Sequence, residues 1–355
     1  MQLVRSVSVF LFLAAVLLLV AATAIPSAAA APNAQGSFHI EEQWNIGGSG
    51  GWGFLAVDPA AHRLFIPRTD HISVIDTTTG KVLEEIAGMV NLRDLALDDS
   101  GKYGYATDVT DGTAGFVRVF DRTSLKLVAS IPTSPIPFAI VFDPASRRVF
   151  AFSSRGHRVD VIDPSTNQVV STIPLAGRPG SAVGDGRGGV FVALPAEGMI
   201  QRIDAASHKA TASWPLAPCT GPSGLAIDAQ HNQLFTTCED HKLVSVNTAS
   251  GQTEVIGDAT EAAGDLDFDP RLNMLFLADP KGSLTVFHRE SPLRFTKLPN
   301  IQTEPGARTM VVDHENGKAY LVTSKYGLNS GNVSEELRYR PTPIPGTFSV
   351  LVVSR

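Results

Sequence analysis

Residues 55–88 read LAVDPAAHRLFIPRTDHISVIDTTTGKVLEEIAG, and the pattern returns twice with little change. Residues 140–175 give IVFDPASRRVFAFSSRGHRVDVIDPSTNQVVSTIPL, and residues 225–257 give LAIDAQHNQLFTTCEDHKLVSVNTASGQTEVIG. Each copy opens on an apolar run closed by an aspartate. That aspartate recurs at Asp58, Asp98, Asp143, Asp185, Asp228, Asp269 and Asp313, with spacings of 40, 45, 42, 43, 41 and 44 residues. Seven units at this period are expected of four-stranded propeller blades.

Within a unit the chain divides into four short β-runs, here called strands A to D. Strand A ends at the aspartate, and strand B follows a turn such as DPAAHR. Strand C ends in a second acid or amide, at Asp76, Asp121, Asp163, Asp204 and Asn247, and strand D follows a TTTGK-like turn. Asp-Pro and Thr-Gly are turn chemistry: the carboxylate bonds its own turn, proline presets φ, and glycine supplies a positive φ. The seventh unit stops after its third strand, whereas residues 38–46 offer a spare one, FHIEEQWNI. We therefore expect an all-β, seven-bladed β-propeller of four-stranded antiparallel blades, the N-terminal strand completing the last blade. Closing the ring in this way removes exposed sheet edges.

Outside the repeats the chain starts differently. Arg5 precedes an apolar run over residues 7–20, and SAAAA at residues 27–31 offers small residues to a peptidase. This is the pattern of a secretory signal, with cleavage near Ala30; the apolar run is shorter than the ~20 residues of a spanning helix. The expected division is a signal peptide over 1–31 and one propeller domain over 32–355, periplasmic or secreted, with no membrane span after cleavage. The chain carries 35 acidic against 29 basic residues, a formal net charge of −6. That balance argues against nucleic acid as a partner, because phosphate binding needs a basic footprint. A hydrophobic fraction of 43% with 18% charged residues fits a folded chain with a sizeable core.

The motifs VIDTTTGK, PSGLAIDAQHNQLF, GARTMVVD and PGTFSVLVV resemble those of the YVTN-type, YncE-like β-propellers of bacterial periplasmic and secreted proteins. The likeness covers residues 38–355. It departs from the pattern at GDGRGG (184–189), where other units carry an Asp-Pro turn, and at His288, in place of a strand-C acid. The resemblance implies a binding or structural propeller. Related propellers include lactone-cleaving enzymes and subunits of quinone-dependent amine dehydrogenases, so fold alone does not choose a chemistry.

In a propeller the D–A and B–C connections share one face, and the A–B and C–D turns share the other. The distinctive residues gather on the first. Arg93, Asp94, Arg178, Asp265 and Arg308 precede or open strands A. The longest insertion, residues 324–345 with Tyr326 and Tyr339, is the B–C connection of blade seven; connections this long are often functional. Asp267 stands where the other blades place Ala56, Ala96, Val141, Val183, Ala226 and Val311, two residues before the strand-A aspartate. A carboxylate there must be paired, protonated or open to the channel. Two outcomes follow: a channel site, in which Arg93 and Arg308 hold an anion or the acids hold a cation, or a structural ion-pair network tying blades together.

Other motifs carry less. GSGGWG (48–53) satisfies the dinucleotide fingerprint, but no strand-to-helix junction surrounds it; it puts Trp52 on a mobile loop at one mouth of the ring. His71, His157 and His241 lie in B–C turns of three separate blades, too far apart to share a zinc ion. Asn332-Val333-Ser334 is a glycosylation sequon only in a host that modifies secreted proteins so. Cys219 and Cys238, the two cysteines of the chain, fall at the same end of strands A and B of blade five, and in an oxidising compartment a disulfide is expected.

The expected function is non-catalytic binding of a protein partner or small ligand through the loop-rich face by a monomer. Candidate residues are Trp52, Arg93, Asp94, Arg178, Asp265, Asp267, Arg308, Tyr326 and Tyr339. No cofactor or metal is expected, although the channel acids leave room for a cation. The alternative is a propeller enzyme, a lactonase-like hydrolase or a quinone-linked oxidoreductase component, working with those acids.

Overall fold

The computed structural model describes residues 37–259, 264–328 and 341–355. The expected signal peptide, the Asn332 sequon and Tyr339 lie outside the described residues. Seven sheets follow one another around a ring, spanning 56–86, 92–133, 137–174, 182–215, 225–258, 266–302 and 309–354. Each is an antiparallel A–B–C–D sheet. In blade six a short extra strand, Ile301–Gln302, also pairs with strand C. Blade seven takes Thr309–Asp313, Lys318–Thr323 and Ser349–Ser354 from the C-terminal end. Its fourth strand is His39–Asn45, which pairs antiparallel with Ser349–Ser354, Trp44 opposite Val350.

Strand B is largely apolar without alternation because both its faces meet neighbouring blades, and strand C sets polar residues such as Ser73, Asp160 and Thr285 among its apolar ones, these too buried. Leu64, Phe65 and Ile66 of blade one are fully buried, as are Val159, Val161 and Ile162 of blade three. Strand D has one neighbour strand and alternates, as in Gln168–Pro174. This is the contrast between fully and half-buried strands. The core is accordingly split into seven seams, one per blade junction. In one, Phe150, Phe152, Val159 and Val161 of blade three meet Val190, Val192, Leu194 and Ile203 of blade four. The closing seam joins Leu64, Ile66 and Ile75 of blade one to Trp44, Tyr320, Val322, Val350 and Val352 of blade seven.

The seven strand-A aspartates are turn residues. Each accepts a hydrogen bond from a backbone N–H two to five residues further on, as Asp58 does from Ala61 and Asp313 does from Glu315. The strand-C residues Asp76, Asp121, Asp163, Asp204 and Asn247 cap the C–D turns in the same way. Helical structure among the described residues amounts to two 3-10 turns, Pro195–Glu197 and Ala229–His231.

Candidate functional site: the channel and its loop-rich mouth

The inner strands A surround a channel. Its central part is a cavity of about 350 Å³ walled by Asp94, Ile140, Val183, Ala226, Asp265, Asp267, Val311 and His314, among others. A second cavity of about 400 Å³ forms the mouth on the D–A and B–C face. The two share Phe54, Ser181 and Asp265.

The residues four before each strand-A aspartate form one layer of this wall: Phe54, Asp94, Ala139, Ser181, Gly224, Asp265 and Thr309. The residues five before form the rim, and Arg93, Phe138, Ser223 and Arg308 among them line the mouth. Backbone bonds hold the rim in place: the Arg93 carbonyl accepts from Phe54 N–H at 2.9 Å and the Arg308 carbonyl from Asp265 N–H at 2.8 Å. Such close approach requires glycine next door. A Cβ on Gly53 would lie 1.9 Å from the Arg93 carbonyl oxygen. The two arginine side chains are exposed. Among the described residues neither guanidinium has an ion pair or hydrogen bond.

The three channel acids act neither as free carboxylates nor as partners of these arginines. Asp94 accepts from its neighbour Leu95 N–H at 2.8 Å and from Ile140 N–H of the next blade at 3.0 Å. Asp265 accepts from Leu266 N–H at 3.1 Å and from Met310 N–H of the next blade at 3.3 Å. Asp267 accepts from Val312 N–H at 2.8 Å, and its other oxygen lies 3.1 Å from His314 Nε2. Each carboxylate thus ties its blade to the following one. These ties are carboxylate-to-backbone bonds, joined at Asp267 by the pair with His314, and they involve neither Arg93 nor Arg308.

Burial raises the pKa of Asp94 to about 7, against the lowering effect of the Ile140 and Leu95 N–H groups. Burial likewise raises Asp265 to about 8; the Met310 N–H opposes this, and the negative charges of Asp267 and Asp94 add to it. Taking a carboxylate out of water outweighs one or two hydrogen bonds to its charged form. For His314 burial acts downward, but the Asp267 carboxylate prevails and holds the imidazole above its usual value. His314 was not legible as a site residue; the one sign was its place after Asp313, where three other blades carry proline.

Among the described residues no three His, Cys, Asp or Glu side chains converge in the channel closely enough to share a metal ion. The one convergent group is Cys219, Cys238 and Asp240, and those cysteines are bonded to each other. The disulfide joins the D–A loop of blade five to the end of its strand B, with Cα atoms 5.5 Å apart. His157 and His241 are exposed, and His71 lies beside Asp70 and Glu85.

The glycine-rich run is the reverse of a phosphate cradle. Its carbonyls point inward and accept from Arg68, whose Nε meets Gly51 O at 3.2 Å and whose terminal nitrogens meet Ser49 O at 2.9 Å and Gly47 O at 3.5 Å. Arg68 is 1% exposed, with its guanidinium 3.7 Å from the centre of the Phe348 ring. The loop expected to be mobile is therefore pinned. Trp52 packs against Phe348 and Tyr326, with ring centres 5.3 and 6.4 Å away. The mouth brings together Trp52, Arg93, Asp265 and Arg308. Arg178 lies outside it, on an adjoining cavity of about 390 Å³ with Pro179 and Glu239. Tyr326 backs Trp52 without lining the mouth. Phe54, Phe138, Ser181, Ser223 and Thr309 also line the mouth and were missed by sequence.

Over a 133-residue stretch the chain is 29% identical to a protein described as uncharacterized, YncE of Salmonella typhimurium, and 28% identical to YncE of Salmonella typhi. This stretch is 36% of the chain and 36% of each relative, so the match spans about a third of their length. The chain is a seven-bladed β-propeller that is similar to YncE over this stretch. No protein-family model matches it, so the YVTN repeat expected from its motifs is not among the matches. Solved propellers superpose over nearly the whole chain. The WD40 repeats of RRP9 give a TM-score of 0.71 at 10% identity, covering 90% of this chain and 98% of that one. A chain from the Kuenenia stuttgartiensis hydrazine synthase structure gives 0.63 at 16% identity, covering 84% and 95%. At such identity these likenesses show the fold alone. Among the described residues no helix is long and apolar enough to cross a membrane.

Proposed function

We propose that this chain is a secreted or periplasmic propeller that binds a protein partner or small ligand at the loop-rich mouth of its channel, without catalysis. The observation that carries the reading is the pairing of a 400 Å³ mouth with Arg93 and Arg308, exposed and without a partner among the described residues, on a lining shared with Trp52, Phe54 and Phe138. Concave, partly apolar sites with a few convergent polar groups are the usual form of ligand sites. The enzyme reading draws support from Asp94 and Asp265, whose raised pKa values suit general acids near neutral pH. Their oxygens are already engaged by backbone N–H groups, which favours a structural role.

The test is native mass spectrometry of the purified chain after incubation with an extract of its producing cells. A retained ligand or partner should disappear in Ser181→Trp, which fills the mouth, and persist in Glu315→Trp, an exposed position on the opposite face. Equal retention by both variants, or nothing retained by the parent chain, would overturn the proposal.

A further inference from the structure

We infer that the ligand of the mouth is a small organic anion, its charged group held between Arg93 and Arg308 and its apolar body lying against Phe54 and Phe138. This rests on the binding reading above and adds the chemical class.

The unpartnered polar groups lean towards donors. Arg93 and Arg308 carry donors only, five N–H groups each. Two further polar groups stand on lining residues: Trp52 Nε1, a donor, and the Thr309 hydroxyl, which can donate or accept, are buried and have no hydrogen-bond partner among the described residues. An indole N–H cannot accept, so an acceptor-rich ligand is the complement. Ser223, also on the rim, is already bonded to Thr237 at 3.0 Å. The two rim arginines belong to blades two and seven, which flank blade one, the blade that contributes Phe54. A carboxylate or phosphate between them would therefore place an attached ring or short chain over Phe54, and Phe54 meets Phe138 edge to face at 6.0 Å.

The acids at the mouth do not cancel this field. Both oxygens of Asp265 and of Asp94 face backbone N–H groups. With pKa values raised to about 8 and about 7, both are mainly neutral at pH 6. A cavity of about 400 Å³ is at the small end of ligand sites, which suits an aromatic or short-chain carboxylate or a phosphate monoester.

Isothermal titration of the purified chain at pH 6 with benzoate, phenyl phosphate, inorganic phosphate, benzamide and benzylamine tests the class. Benzoate or phenyl phosphate should bind at least tenfold more tightly than benzamide and benzylamine, and phenyl phosphate more tightly than inorganic phosphate. Arg93→Gln and Arg308→Gln should each weaken the anion about tenfold, as expected for a charge-assisted bond, while Arg178→Gln leaves it unchanged. Benzamide or benzylamine binding as well as benzoate, or anion binding indifferent to both arginine variants, would overturn the inference and leave the mouth as a ligand site. Inorganic phosphate matching phenyl phosphate would leave an adventitious ion only. No binding by any of the five compounds would remove both the inference and the mouth as a small-ligand site.

Discussion

The two ends of the channel treat their charges in opposite ways. At the turn face, Arg122 of blade two is 6% exposed and lies between two strand-A aspartates, paired with Asp58 and 3.5 Å from Asp98. Arg289 of blade six repeats the arrangement, paired with Asp228 and bonded to Gln233 at 3.0 Å and Asn273 at 2.7 Å. Both arginines follow the end of the regular strand-C unit, and both reach back to the preceding blade. At the loop face, Arg93, Arg178 and Arg308 are exposed and have no such partner among the described residues. One end uses its charges to tie adjacent blades together. The other leaves its cations facing solvent above acids whose pKa burial raises, and this asymmetry supports the proposal that the loop face is the binding face.

The largest expected effect comes from breaking the closed end. Arg122→Met should destabilise the chain by about 3–5 kcal/mol, because it strands the buried Asp58 and Asp98 carboxylates. Denaturant unfolding read by circular dichroism measures it. A loss below about 1 kcal/mol would mean that the turn face is not held by its charges, and the comparison would fail at its stronger end. The loop face is held covalently instead. Replacing Cys219 and Cys238 by serine together removes a cross-link across a sequence separation of 19 residues. That should cost about 3 kcal/mol in the chain-entropy model. The same unfolding experiment, with and without reductant on the parent chain, checks it; reductant should reproduce the double variant.

How much of this was legible follows from the range of each interaction. The strand-A aspartates could be recognised because their partners lie two to five residues away and the unit repeats sevenfold. The closing strand was legible by counting, since blade seven lacked one strand and residues 38–46 supplied it. The candidate disulfide followed from strand order alone. The wall of the mouth was harder. Its layer reads Phe54, Asp94, Ala139, Ser181, Gly224, Asp265 and Thr309, with no residue type shared throughout. The register of strand A also shifts between Leu92 and Leu95 and between Pro137 and Ala139, which blurs the alignment of units. The acids' true partners were hidden for another reason: they are backbone N–H groups 45 or 46 residues on. Backbone donors leave no mark in side-chain spacing. Hence Arg93 and Asp94 were found as residues, while what Asp94 does was not.

A further expected effect separates the two ends by pH. Asp94 and Asp265 titrate at about 7 and about 8 in the folded chain, against about 4 when unfolded. Between pH 4 and 8 the folded state therefore holds more protons than the unfolded one, and stability falls as pH rises through that window. Each group contributes a slope of at most about 1.4 kcal/mol per pH unit, less here because both side chains keep some contact with the channel. Asp94→Asn removes one of the two. Its unfolding free energy should decline less steeply from pH 4 to 7 than that of the parent chain, so that the variant gains relative stability as the pH increases. It also loses one of the two N–H contacts to the carboxylate, worth about 1 kcal/mol, at every pH. The two contributions differ in form: a constant offset for the lost bond, a slope for the lost proton. An offset without a change of slope would show that Asp94 stays ionised in the folded chain. The mouth would then lie above a charged wall, and the contrast between a paired end and a neutralised one would no longer hold.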